Sequence, residues 1–453
     1  MNKVLHWNAI LLEASRRDHS QGYANGQQPG PTATSRAMAI VHLAIHDAVA
    51  YVNKPGAAYL KKKYNITLQK PPGAKLDDVI DGAAVTALKA MYLKYADYFD
   101  DSLEATQAAS FQFGEQIAIS LLENRANDGS GGPVPAAAAA GYGAHLQDPY
   151  NISQGQLGAQ WGAVQHFVGP RKSLDDFPGH GLPSFMANDH YAEDYREVRS
   201  LGSAARGDRT AEETLIGVYW AYDGAHGIGV PPRLYNQIAR RLASDLSMSQ
   251  AAELFAQINV AMADAGIDAW HYKYLHNLWR PVIGIRHETA GEGDCFWAPL
   301  GAPQTNRLGA RATTPPFPAY PSGHATFGAA LFQSLRLRSG PGAVPIGVSD
   351  VLAAATGGAP VPGETFTFVS DELDGRALDS DGSVRTRHER VIPSFARAVY
   401  ENAISRVYLG VHWRFDGLPR EAADNIGGVP LGLAIGQQVH EYFNQFPSLN
   451  GAG

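Results

Sequence analysis

Cysteine is almost absent from this chain: Cys295 is the only one in 453 residues, so no intrachain disulfide can stabilise the fold. It lies in a Gly- and Asp-rich loop without an obvious activating partner, which reads as a structural or mildly reactive thiol and not a catalytic one. Charge is modest as well. Charged residues make up 18% of the chain, and 37 Lys and Arg against 44 Asp and Glu leave a net charge of -7. That balance excludes the basic excess a nucleic-acid surface needs. No apolar run approaches the ~18 residues that span a bilayer. The opening segment MNKVLHWNAILLEASRRDH carries polar residues through its apolar stretch and reads as an amphipathic helix, not a secretory signal. A soluble protein without membrane contact is expected, its compartment left open between cytoplasmic and exported. Strand-like alternation is scarce too, with Glu364 to Ser370 the one plausible short strand. The acidic stretch Asp371 to Asp381 lacks the EF-hand spacing and reads as a solvated loop.

Helical periodicity fills the chain instead. Apolar residues recur three and four apart over Val4 to Arg17, Thr34 to Val52, Leu76 to Tyr95 and Asp100 to Ala126. The same pattern returns over Pro232 to Leu246, Ser249 to Trp279, Gly323 to Arg338, Val391 to Tyr408 and Glu421 to Phe443. The length exceeds that at which a single hydrophobic core usually stops growing, so two core units or one large one are expected. The pattern predicts an all-α protein of helical bundles. Residues 1–200 read as an N-terminal helical region and residues 201–453 as a C-terminal bundle with the active site in its core.

Three segments of the second half suit the capture of a tetrahedral oxyanion. Lys273 and Arg280 stand seven apart, which on one helix places both on one face about 10 Å apart along the axis, with Pro281 ending that helix. Cations among Trp270, Tyr274 and Trp279 need an anionic partner or a route to water. Pro321-Ser322-Gly323-His324 opens an apolar helix, with Ser322 suited to the N-cap and Gly323 allowing close approach to backbone N–H groups. In the third segment Arg406 lies near a helix end, Gly410 stops the helix, and His412 turns back with Asp416 placed to orient its ring.

Lys-x6-Arg-Pro, Pro-Ser-Gly-His and Ser-Arg-x5-His-x3-Asp together resemble the signature shared by vanadium-dependent haloperoxidases and type-2 phosphatidic-acid and acid phosphatases. The segments around Trp220 to Gln237, Phe317 to Gly328 and Asn402 to Asp416 are similar to fungal-type vanadium chloroperoxidases. The likeness is close over the second half, whereas the first half is similar only in its helical character. It implies vanadate as cofactor, with neither haem nor flavin, and His412 as its protein ligand. It further implies that Lys273, Arg280 and Arg406 neutralise the oxyanion, with Ser322 and Gly323 adding hydrogen bonds. His324 would be the acid–base group, Asp223 the carboxylate paired with Arg406, and Trp270 and Phe317 the halide-handling wall. Hydrogen peroxide, a halide ion and a small organic acceptor are the implied partners, with phosphate as competitor. A homo-oligomer is compatible with the sequence and not required by it.

The shared signature leaves two reactions open, halide oxidation and a phosphatase reaction with His412 as nucleophile. Non-catalytic phosphate or vanadate carriage is a third reading, and it leaves the two imidazoles without a task. The aromatic surround of Trp270, Trp279, Phe317 and Tyr320 suits a weakly hydrated halide better than a charged organic phosphate.

Overall fold

The computed structural model describes residues 2–20, 26–104, 106–136, 141–175, 189–205, 208–287, 293–340 and 342–449. Sixteen α-helices are present among them. The first six are α1 (Lys3–Ser20), α2 (Gly30–Asn53), α3 (Tyr59–Tyr64), α4 (Leu76–Met91), α5 (Ala96–Asp100) and α6 (Ala108–Arg125). Next come α7 (Asp189–Leu201), α8 (Ala211–Tyr219), α9 (Pro231–Leu242), α10 (Met248–His276) and α11 (Pro281–Arg286). The last five are α12 (Gly323–Leu337), α13 (Val348–Ala353), α14 (Phe395–Tyr408), α15 (Arg414–Gly417) and α16 (Gly428–Phe443). A two-stranded antiparallel ribbon pairs β1 (Phe366–Val369) with β2 (Glu389–Ile392), Phe366 opposite Ile392. The all-α expectation holds.

α10 is the central element. Ser247 caps its start, accepting from the Gln250 N–H while the Gln250 side chain reaches back to the cap. It packs against α2, α12 and α16, and its buried residues run unbroken from Leu254 to Trp270. Because α2 belongs to the first half of the chain and α12 and α16 to the second, both halves feed one contiguous apolar core. α12 and α16 approach closely through a glycine stripe. A methyl on Gly428 would sit 2.5 Å from the Ser322 carbonyl oxygen, and one on Gly436 2.7 Å from that of Ala330. This contact fixes the axis whose N-terminus enters the candidate site.

Several element boundaries differ from the sequence expectation. α10 stops at His276 because Asn277 takes the left-handed conformation at φ 46°. Arg280 is therefore not on the helix that carries Lys273. It is the N-cap of α11, and Pro281 starts that helix at the position where its missing N–H costs nothing. The expected helix from Asp100 begins at Ala108, and the last helix begins at Gly428, not Glu421. Val391 lies in β2, whose pairing with β1 is a long-range contact; α14 starts beyond it, capped by Ser394. The acidic loop is also less solvated than expected. Glu372 and Leu373 are buried, and Glu372 pairs with Arg385 at 2.6 Å.

Candidate active site

Five pieces of chain converge where α12 enters the core. The end of α10 brings Trp270 and Lys273, and the α11 N-cap brings Arg280. The start of α12 brings Ser322, Gly323 and His324. The end of α14 and the turn after it bring Arg406, His412 and Asp416. Ala221-Tyr222-Asp223, just after α8, closes the group. Gly410 makes the sharp turn towards His412 in the left-handed region at φ 67°. All three cations, both imidazoles and Asp416 are among the buried polar residues, and the Asp223 side chain is only 4% exposed.

The hydrogen bonds bind these pieces to one another. Lys273 Nζ donates to the Pro318 and Ala319 carbonyls, each at 2.9 Å, which uses two of its three protons. Arg280 donates through Nε to the Phe317 carbonyl at 3.0 Å and through Nη1 to the Val411 carbonyl at 2.7 Å. Arg406 makes a two-pronged pair with Asp223 at 3.0 and 2.6 Å. The Ser322 N–H donates to the Asp416 carbonyl at 2.7 Å, and Ser322 Oγ caps α12 by accepting from the Ala325 N–H at 3.5 Å.

Partners also fix the imidazole protons. Arg280 Nη1 lies 3.1 Å from His412 Nε2, and an arginine N–H can only donate. Nε2 therefore accepts, and His412 carries its proton on Nδ1, donating it to Asp416 Oδ2 at 2.8 Å. His324 is the reverse case. Its Nε2 is 2.5 Å from the Ala221 carbonyl, which only accepts, so Nε2 holds the proton and Nδ1 keeps a lone pair.

The electrostatics call for an anion. Burial and the neighbouring Arg280 and Arg406 push the Lys273 ammonium well down. Burial, with Arg406 adding to it, pushes Arg280 down to about 9. His324 is pushed down to about 3 by burial and Arg406, and His412 well below its ordinary value by burial, Arg280 and Lys273. Burial raises Asp416 to about 8 against the pull of Lys273 and Arg280. Three cations face two carboxylates here, and the arginines keep their charge. Arg280 Nη2 and Arg406 Nε are buried without a hydrogen-bond partner among the described residues. A buried orphan donor on a cation costs several kcal/mol unless an acceptor meets it. With the third Lys273 proton, these donors fit a tetrahedral oxyanion such as vanadate.

Beside them opens a small cavity of about 20 Å³, walled by Pro31, Tyr222, Trp270, Phe317, His324 and His412. The Trp270 and Phe317 rings meet at 4.7 Å and 53°, and Gly323 lets the Trp270 ring lie against the α12 N-terminus. The structure thus brings together the polar residues that the sequence singled out, with Trp270 and Phe317; Trp279 and Tyr320, expected in the same aromatic surround, do not line this cavity and pack instead against Tyr142 and His287 and against His276 and Phe415. It also shows residues to which the sequence alone assigned no role. The Tyr235 hydroxyl and Asn402 Nδ2 both donate to the His324 carbonyl, at 3.0 and 2.7 Å. His145 is buried beside the cations, and burial with Arg280 and Lys273 pushes it down to about 3. Tyr235 and Asn402 fall inside the conspicuous segments around Trp220 and Arg406, whereas His145 sits in a stretch with no pattern to mark it.

Comparison with known proteins is decisive. The chain is 33% identical to the vanadium chloroperoxidase of Curvularia inaequalis over 500 residues, covering 92% of this chain and 79% of that protein. The chain belongs to the vanadium haloperoxidase family. Residues 253–448 match the family described as the VCPO second helical-bundle domain, and residues 1–110 match the vanadium chloroperoxidase N-terminal domain. The second match corrects the expectation that the first half resembles the haloperoxidases in helical character alone. Solved haloperoxidases share the fold. A bacterial vanadium-dependent iodoperoxidase superposes with a TM-score of 0.69 at 21% identity, over 99% of this chain and 97% of its own. An apo-type bacterial vanadium-dependent chloroperoxidase gives 0.61 at 15% identity, over 92% and 94%. These haloperoxidase relatives favour halide oxidation over the phosphatase reading. Among the described residues, no helix is long and apolar enough to cross a membrane.

Proposed function

We propose that this chain oxidises halide with hydrogen peroxide, using vanadate held by Lys273, Arg280, Arg406, Ser322, Gly323 and His412. The set of buried donors around His412 Nε2, two of them without partners, is the observation that supports this reading most. When bound, vanadate supplies a Lewis acid that polarises peroxide without changing its own oxidation state. The chain's residues do the rest. Asp416 holds the His412 ring so that the Nε2 lone pair points at the cations. Asp223 keeps Arg406 in place through its two-pronged pair. His324, its Nε2 proton tied to Ala221, takes the peroxide proton on Nδ1. Lys273 directs its remaining N–H at the reacting oxygen and draws electron density from it. Trp270 and Phe317 give a weakly hydrated halide an apolar wall.

The product is hypohalous acid, which halogenates a small organic acceptor. Phosphate competes for the same cradle. Residues 201–453 carry the site, and residues 1–200 contribute Pro31 to its wall. The test is a bromination assay on purified protein with orthovanadate, peroxide, bromide and a phenol-type dye. Dye bromination that requires vanadate and is suppressed by phosphate is expected. Turnover of p-nitrophenyl phosphate without bromination would contradict the reading.

A further inference from the structure

Tyr222 is a non-glycine residue in the left-handed region, at φ 42°, and it is fully buried. Its two neighbours both act on the site. Ala221 accepts the His324 Nε2 proton, and Asp223 grips Arg406. A small backbone rotation at Tyr222 would therefore disturb the acid–base imidazole and one cation together. Such a conformation persists only where the surroundings hold it.

What holds it comes from the acidic segment after β1. The Asp371 N–H donates to the Tyr222 hydroxyl at 2.9 Å, and that hydroxyl donates to Gln237 Oε1 at 2.9 Å. Gln237 Nε2 returns to Asp371 Oδ2 at 3.1 Å, closing a ring of three residues. Arg233 Nη1 donates to the same carboxylate oxygen at 2.5 Å, while Arg233 is itself tied to the Leu12 and Ile228 carbonyls. The segment is pinned on either side. Ser370 Oγ donates to the Tyr219 carbonyl at 2.8 Å, and Glu372 is held by Thr305 and Arg385.

We propose that Asp371 is a positioning residue for the oxyanion site, acting through the Tyr222 hydroxyl on Ala221 and Asp223. Asp371 touches none of the reacting groups. Its carboxylate, with Gln237 and Arg233, fixes the tyrosine whose backbone aims one carbonyl at His324 and one carboxylate at Arg406. This rests on the halide-oxidising reading for its activity readout, but not for its binding readout.

Asp371→Ala, Asp371→Asn and Tyr222→Phe are compared with wild type and with Asp381→Ala, a change at an exposed carboxylate of the same loop. Each is measured for kcat and bromide KM, for orthovanadate affinity by calorimetry, and for folded fraction by thermal melting. Asp371→Ala and Tyr222→Phe should lower kcat and vanadate affinity by roughly 10-fold or more, with bromide KM changed by less than about 2-fold. Asp371→Asn keeps an acceptor for Arg233 and Gln237 and should recover most of the loss. Asp381→Ala should behave as wild type. The proposal is overturned if folded Tyr222→Phe keeps kcat and vanadate affinity within about 2-fold of wild type, whether or not Asp371→Ala folds. Equal losses in Asp381→Ala would overturn it too. If wild type binds vanadate without oxidising bromide, the functional reading fails while the affinity comparison still decides the positioning role.

Discussion

Two groups of the same three residue types stand in different settings, one on α10 and the loop it fastens, the other built from the α11 N-cap, the turn after α14 and α15. One is Asp268 with His166 and Arg171; the other is Asp416 with His412 and Arg280. In the first, His166 Nε2 meets Asp268 Oδ1 at 2.6 Å, Arg171 Nε meets the same oxygen at 3.2 Å, and the Lys172 N–H donates to Oδ2 at 2.9 Å. One turn earlier, Asp264 accepts from the N–H groups of Phe167, Val168 and Gly169. These carboxylates are saturated by the loop they fasten to α10, and Arg171 is 30% exposed. The second group is sealed from solvent, yet Arg280 Nη2 and Asp416 Oδ1 have no partner among the described residues. Residue type is the same in both. Hydrogen-bonding capacity left unfilled beside three buried cations and two imidazoles is what sets the second group apart from the first.

The largest effect expected from breaking this contrast is at His412. His412→Ala should remove measurable vanadate binding and, with it, vanadate-dependent bromination, as read by calorimetry and the dye assay. His324→Ala should come next, keeping vanadate affinity but losing ~10²–10⁴-fold in kcat through loss of the proton acceptor. Equal loss of affinity in the two variants would contradict their separate tasks. In the first group, Asp268→Asn should lower stability by about 1–3 kcal/mol, seen as a lower melting temperature, and leave vanadate affinity unchanged.

The smallest effect is a pH dependence of the vanadate-free protein. His42 and His145 are each held down to about 3 by burial, below the 6.5 of an unfolded histidine. At these two sites the unfolded chain binds more protons between those values, so their contribution to stability is full above pH ~6.5 and falls as pH drops towards 3, opposed by Asp194 and Glu372, which burial raises to about 6 and about 7. The unfolding midpoint of wild type minus that of His42→Gln, followed across that window, isolates the sign. A difference that grows on acidification would refute it.

Much of the site was legible because its cations and imidazoles sit in short local patterns: Pro-Ser-Gly-His, and the Arg406-to-Asp416 run with its glycine stop. Ser322 at the α12 N-cap and His412 beyond Gly410 follow from local backbone rules alone. Arg280 was found by type but misplaced, because a seven-residue spacing looks helical and only the left-handed Asn277 breaks it. What stayed hidden depends on contacts between distant segments. β2 needs β1, the Tyr235–Asn402 brace needs α9 beside α14, and Asp371 acquires partners only when the acidic loop folds back on Tyr222. No local period encodes such pairings.

Calorimetric titration of orthovanadate into the purified protein, repeated with phosphate present and with His412→Ala, tests the central claim most directly. One saturable site per chain, displaced by phosphate and lost in the variant, is the predicted result. Absence of saturable binding, or binding that survives loss of the imidazole unchanged, would contradict it.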